Sequence, residues 1–188
     1  MKKFFGHLFL VIRHKNAVLK NCAKCGIIWR GLVHDLSKFS PEEFFESVKY
    51  YTGKRSPIGV CREVRGVSRA WLHHKGRNKH HIEYWMDPDC KEHPIMPYKY
   101  AVECVCDKIA ATKVYSGKAY SEDKPLMHWN RYGRLVPANP KTLAFFDKVF
   151  NDLPTLGEKR VLNKKYLRNT YEEATGIQLK KSKRGCRI

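Results

Sequence analysis

His34 and Asp35 stand side by side in the stretch RGLVHDLSKFSPEEF, residues 30–44. An imidazole next to a carboxylate offers two ligand atoms to one divalent ion, or lets the carboxylate bridge two. On a helix, adjacent side chains diverge by about a hundred degrees, so the two approach an ion from different sides. Lys38 follows three residues after Asp35, one turn on and on the same side. A cation there meets a phosphoryl oxygen bound at the metal. Further ligand types come in order: His14 before the pair, the doublets His73/His74 and His80/His81 after it, and Asp107 last. Each has a plain structural reading as well: a packed histidine, a solvent-facing basic loop, or an aspartate paired with Lys108. Asp107 lies among Val105, Cys106 and Ile109, however, where an unpaired carboxylate is costly. Together the order points to metal binding, with one histidine of each doublet facing inward. An i to i+7 relation links His73 to His80 and His74 to His81, so periodicity does not choose between them. Imidazoles with carboxylates suit one or two ions of manganese, iron, cobalt or zinc better than magnesium.

The elements that must position these residues read as helices. Residues 3–25 carry an apolar helical period that Gly26 ends. Residues 27–39 form a second helix holding His34 and Asp35. Ser40-Pro-Glu-Glu43 is a helix start, with Ser40 as cap and Glu43 at the capping-box position. Residues 52–57 read as a loop, and helix resumes near Gly66, to be interrupted by Gly76 and Asn78. Pro97 opens a long helix through about Tyr115 that contains Asp107. Segments 121–132, 140–150 and 156–174 complete an all-α bundle, which can build a metal site from facing helices. The expected unit is one domain over residues 1–178, with its core at about 10–150, and a disordered basic tail over 179–188.

With 37 Lys and Arg against 18 Asp and Glu, the net charge of +19 favours polyanionic partners: nucleotides, nucleic acid or an anionic membrane surface. Of these, a phosphorylated small molecule or nucleotide is expected first, nucleic acid second, and no membrane. Seven cysteines include one CxxC (Cys22, Cys25) and no second one, which excludes a zinc ribbon. Free thiols fit a reducing cytoplasm. The apolar N-terminus is broken by His7 and lacks a small-residue cleavage site, and no run is long enough to span a membrane.

The order H…HD…HH…HH…D resembles the HD superfamily of metal-dependent phosphohydrolases, and His34-Asp-Leu-Ser-Lys38 resembles the HDxxK form of its two-metal phosphodiesterase branch. Residues 13–15, 29–44, 73–85 and 96–107 are similar to a family of uncharacterised bacterial and phage proteins related to HD domains. The resemblance covers about residues 10–150 and implies an HD-like helical fold. It makes His14 the leading histidine, His34 and Asp35 the central pair, the doublets ligands of a second ion, and Asp107 the closing aspartate. The DGxGYP segment of the two-metal branch is missing, so cyclic-dinucleotide specificity does not carry over. The implied activity is hydrolysis of a nucleotide or other phosphate ester by metal-activated water. Asp35 then holds the metal and accepts a proton, while Lys38, Lys75, Arg77 and Lys79 bind phosphate. The alternatives are a basic nucleic-acid-binding or interaction protein with a vestigial site, in which the C-terminal cations and Trp129, Arg131, Tyr132 and Arg134 serve as phosphate contacts and stacking surfaces, and an HD-type di-iron oxygenase.

Overall fold

Apolar periodicity makes the first helix, α1 (Lys2–Lys24), in the computed structural model, which describes residues 1–180. It turns Leu10, Val11, Val18 and Cys22 inward together with His7 and His14. After Gly26 (φ 74) the chain reverses into α2 (Ile28–Val33). Helix α3 (Pro41–Lys49) starts where Ser40-Pro41 predicts, with the Ser40 side chain accepting from the Glu43 amide. Next come α4 (Pro57–Arg65), α5 (Arg69–Arg77) and the long α6 (Tyr98–Ser116). A short α7 (Lys124–His128) runs into a π turn, and α8 (Pro140–Leu156), α9 (Glu158–Val161) and α10 (Lys164–Thr175) follow. There is no strand among the described residues, so the chain is all-α.

Helix α6 is the centre. Val102, Cys104, Val105, Cys106, Ile109 and Ala110 are all buried, because α1 and α2 pack on one side and α7, α8 and α10 on the others. A helix that is apolar on most faces belongs in a core rather than at a surface. The aromatic layer of Trp129, Phe145, Phe146 and Phe150 closes the side away from α1. Ligand-type residues of α1 and α6, and Asn21 of α1, interrupt the apolar packing between these two helices.

Four local expectations are corrected. The helix expected over residues 27–39 breaks at Val33: His34 is extended (φ −56, ψ 129), Asp35 is left-handed (φ 54, ψ 27), and Leu36–Phe39 is a 3-10 turn. The break swings both side chains to one spot, which an unbroken helix would hold about a hundred degrees apart. Asp35 is the one described non-glycine residue with positive φ, a conformation costing roughly 1–2 kcal/mol. Lys15 offsets it by donating to the freed carbonyls of Leu32 (2.5 Å) and His34 (2.9 Å). Secondly, Gly66 does not open a helix but ends α4 at φ 75; the Ser56-Pro57 start of α4 went unread. Thirdly, Trp129 is no stacking surface. It is fully buried and donates to Asp147 (2.6 Å), which also accepts from Arg134 (2.7 Å). Lastly, Leu179 at the head of the expected tail packs against the core and donates its amide to Glu172; residues 181–188 lie outside the described residues.

Gly31 sets how closely α2 approaches α1. A Cβ there would stand 2.9 Å from the Leu19 Cα and 2.9 Å from the Cys22 Cβ. Gly31→Ala should therefore destabilise the fold by about 1–3 kcal/mol through overpacking. Urea unfolding measures this, and an unchanged midpoint would show that the helices have room to part.

Candidate metal centre

Four segments meet at Asp35. Helix α1 supplies His14, the break after α2 supplies His34 and Asp35, and α6 supplies Asp107. From the other side, α5 supplies His74, and the turn beyond it supplies His80 and His81. Two sets of ligand atoms result, each lying within 4.8 Å of one another: His14, His34, Asp35 and Asp107, and Asp35, His74, His80 and His81. Asp35 belongs to both, one oxygen to each. Its Oδ2 lies 3.2 Å from His34 Nε2 and 3.6 Å from His14 Nε2. Its Oδ1 lies 3.3 Å from His74 Nε2 and 3.4 Å from His80 Nε2. Asp107 Oδ1 completes the first set, 3.0 Å from His14 Nε2 and 3.5 Å from His34 Nε2.

These atoms converge without satisfying one another. Among the described residues, His14 Nε2, His34 Nε2, Asp35 Oδ1, both His80 nitrogens and His81 Nε2 are buried and lack a well-aligned hydrogen bond, while Asp35 Oδ2 meets the Lys38 ammonium at 2.6 Å. A buried polar atom left unpaired costs roughly 1–3 kcal/mol, and such a concentration at one place asks for a cation. The donor set, imidazole nitrogens with two carboxylates, fits borderline divalent ions. The residues present therefore fit a divalent metal ion, with Asp35 common to both sets.

Two further carboxylates orient the imidazoles. Glu43 accepts from His74 Nδ1 (2.7 Å) and His73 Nδ1 (2.6 Å). Glu103 accepts from His34 Nδ1 (3.0 Å) and Arg30 Nε (2.7 Å), with His80 Nδ1 at 3.4 Å. A proton held on Nδ1 leaves Nε2 bare and aimed at Asp35, the usual role of a carboxylate behind a ligating histidine. Burial opposes ionisation of Glu103, yet His34, His80 and Arg30 outweigh it and hold its carboxyl at about 2. Asp35 and Asp107 are likewise held well below the carboxylate range. Burial works against their charge; His34, Lys38 and His74 overcome it at Asp35, and His14 and His34 at Asp107. Burial pushes His80 and His81 down, and neighbouring imidazoles push them further. His34 goes the other way: burial lowers it, but Asp35, Asp107 and Glu103 raise it more.

The chain belongs to DUF5662, a family of unknown function. The family's profile matches residues 3–152, which hold every residue of the cluster. Neither the curated proteins nor the solved structures contain a match.

Within that DUF5662 span, the candidate ligands fall as follows. His14, His34, Asp35, His74, His80, His81 and Asp107 are brought together. His73 is not. It faces Glu43, and its Nε2 lies 3.5 Å from Glu42. One histidine of the first doublet thus points inward, but both of the second do, because residues 78–81 form a turn rather than continuing α5. Of the four cations expected to bind phosphate, Lys38 touches the cluster, with Nζ 2.6 Å from Asp35 Oδ2. Lys79 instead sits over the Tyr84 ring (5.6 Å), Arg77 is exposed, and Lys75 is half-buried on α5 without an ion pair to the cluster among the described contacts. Glu43, Glu103, Arg30 and Lys15 were missed. Glu103 had a legible signal: it precedes Asp107 by one helical turn in an apolar helix. Glu43 was read only as a capping residue.

Glu103→Ala leaves His34 buried without its carboxylate. It should cost about 3–5 kcal/mol in unfolding free energy, as breaking a buried pair does. A loss under about 1 kcal/mol, the scale of an exposed pair, would remove Glu103 from its orienting role.

Proposed function

We propose that the chain is a metal-dependent phosphohydrolase acting on a nucleotide or another phosphate ester. The observation that carries this reading is Asp35, whose two oxygens each face a separate ligand set while Lys38 stands at its edge. In this reading His14, His34 and Asp107 would hold one ion together with Asp35, and His74, His80 and His81 would hold a second with it. Manganese, iron, cobalt or zinc fits these donors. Bound divalent ions lower the pKa of water and supply a nucleophile at neutral pH.

The protein residues then divide the remaining work. Glu43 keeps His74, and Glu103 keeps His34, in the tautomer that presents Nε2. Asp35 is a ligand rather than a proton acceptor, since both oxygens are engaged and its carboxyl is held far below neutral pH. Burial disfavours the Lys38 ammonium, but Asp35 and Asp107 hold its pKa above the ordinary lysine value. It is thus a fixed cation, suited to binding a phosphoryl oxygen and not to giving up a proton. The resemblance of residues 34–38 to the HDxxK form supports the same assignment. No helix among the described residues is long and apolar enough to cross a membrane. We place the protein in a reducing cytoplasm, where its six described free cysteines are stable.

The test is elemental analysis of protein purified without added metal, followed by a nucleotide screen for phosphate release with manganese. Asp35→Asn keeps the left-handed backbone that asparagine tolerates. It should lose the bound metal and the activity together while its circular dichroism stays unchanged. Metal retained in that variant would refute Asp35 as the shared ligand. Lys38→Met should keep its metal and lose about a hundredfold or more in turnover. A wild-type rate would remove Lys38 from phosphate binding. Iron-dependent mixed-valence spectra without phosphate release from any substrate would favour the di-iron oxygenase reading.

A further inference from the structure

Twelve of the twenty-two large hydrophobic residues found exposed among the described residues fall within the first 45 positions. They are not scattered. Gly31 of α2 covers α1 at Leu19 and Cys22, and Phe44 of α3 covers it at Phe4. Phe5, Phe9 and Ile12 form the α1 stripe next to that covered one, exposed at 50, 65 and 40%. On the outer side of α2 and the turn after it, Trp29 is 77% exposed, Leu32 42% and Leu36 53%. An apolar face of this extent on a surface marks a binding site.

Charge says what covers it. Between Met1 and Pro41 the chain has eight Lys and Arg and a single acid, Asp35, which is buried in the cluster. Both arginines are spent internally: Arg13 donates to the Val114 carbonyl (2.8 Å) and Arg30 to Glu103. Lys15 caps α2 and Lys38 pairs with Asp35. The exposed cations left on α1 are Lys2, Lys20 and Lys24, with Lys3, whose ammonium donates to the Lys49 carbonyl at 3.4 Å. A second copy of the chain would set this lysine rim against itself across a twofold axis, with no surface acid from these helices to meet it. Protein interfaces favour arginine and are depleted in lysine. Lysines bordering Trp, Phe and Leu are instead the composition of helices lying in a membrane surface.

Against the expectation of no membrane partner, we propose that the outer face of α1 and α2 is a docking surface for an anionic lipid bilayer. Phe5, Phe9 and Trp29 enter the headgroup layer, and the lysines meet lipid phosphates. The helices lie in the surface plane and do not cross it. His34 and Asp35 sit between Val33 and Leu36, so docking holds the ligand cluster beside the headgroups. The inference stands on this face alone and does not depend on the hydrolase reading.

The experiment is co-sedimentation of the full chain with phosphatidylcholine vesicles, with and without about one-third phosphatidylglycerol. The chain should bind the anionic vesicles and not the neutral ones, and bind more weakly at about 0.5 M than at about 0.1 M salt. Tryptophan emission should shift to the blue, because Trp29 is exposed whereas Trp129 is already buried. Phe9→Ser and Trp29→Ser, with circular dichroism unchanged, should each reduce partitioning about tenfold. Leu135→Ser, at an equally exposed site between α7 and α8, should leave partitioning unchanged. Absence of binding to anionic vesicles overturns the proposal, as does binding that survives both variants. A dimer by light scattering that Trp29→Ser dissociates would assign the face to a second copy. Binding of polyglutamate that needs Trp29, with none to vesicles, would assign it to an acidic protein. Either result also overturns the proposal.

Discussion

A carboxylate with almost no access to water has to be compensated, and most of this fold can be traced to the compensation of Asp35. Moving one unpaired charge into a protein interior costs several kcal/mol, against a total stability of roughly 5–15 kcal/mol for a domain. Here that carboxylate is ringed by five imidazoles, an ammonium and a second aspartate. The imidazoles bring lone pairs of their own that no donor among the described residues meets. An arrangement so poor in internal hydrogen bonds suits the lining of a cation site.

The scaffold serves that lining at several levels. Helix α6 carries Glu103 and Asp107 one turn apart, so one face supplies both an orienting carboxylate and a candidate ligand. On α1, His14 is flanked by Arg13, tied to the end of α6, and Lys15, tied to the end of α2. Three consecutive residues thus fix a ligand and the two helices that meet it. Asn21 adds a further tie, donating to the Cys106 carbonyl (3.1 Å) beside Asp107. The left-handed backbone of Asp35 is strain kept where chemistry is concentrated, as at many functional sites, and Gly31 permits the close helix approach that makes it possible.

Much of this was legible in the residues. The apolar periods gave α1, α6 and the all-α class, and the order of histidines and aspartates named seven residues that do converge. What was not legible has physical causes. A break in the backbone at Asp35 leaves no compositional mark, because neither glycine nor proline is present to announce it. Which histidine of a doublet faces inward depends on whether the helix continues: α5 continues through His74, and it has ended before His80. Glu43 was hidden behind a capping signal it also satisfies. Trp129, with its neighbouring arginines, looked like a stacking surface because exposure is not written in sequence, and its buried hydrogen bond to Asp147 appears only in three dimensions.

The account stands or falls on whether cations occupy the two sides of one carboxylate. Anomalous X-ray diffraction from crystals of protein purified without chelator tests this most directly. The account predicts two anomalous peaks, one between Asp35 Oδ2 and the His14, His34 and Asp107 side chains, and one between Oδ1 and His74, His80 and His81. Well-diffracting crystals with no peak at Asp35, and the same side chains hydrogen-bonded to ordered water, would contradict it.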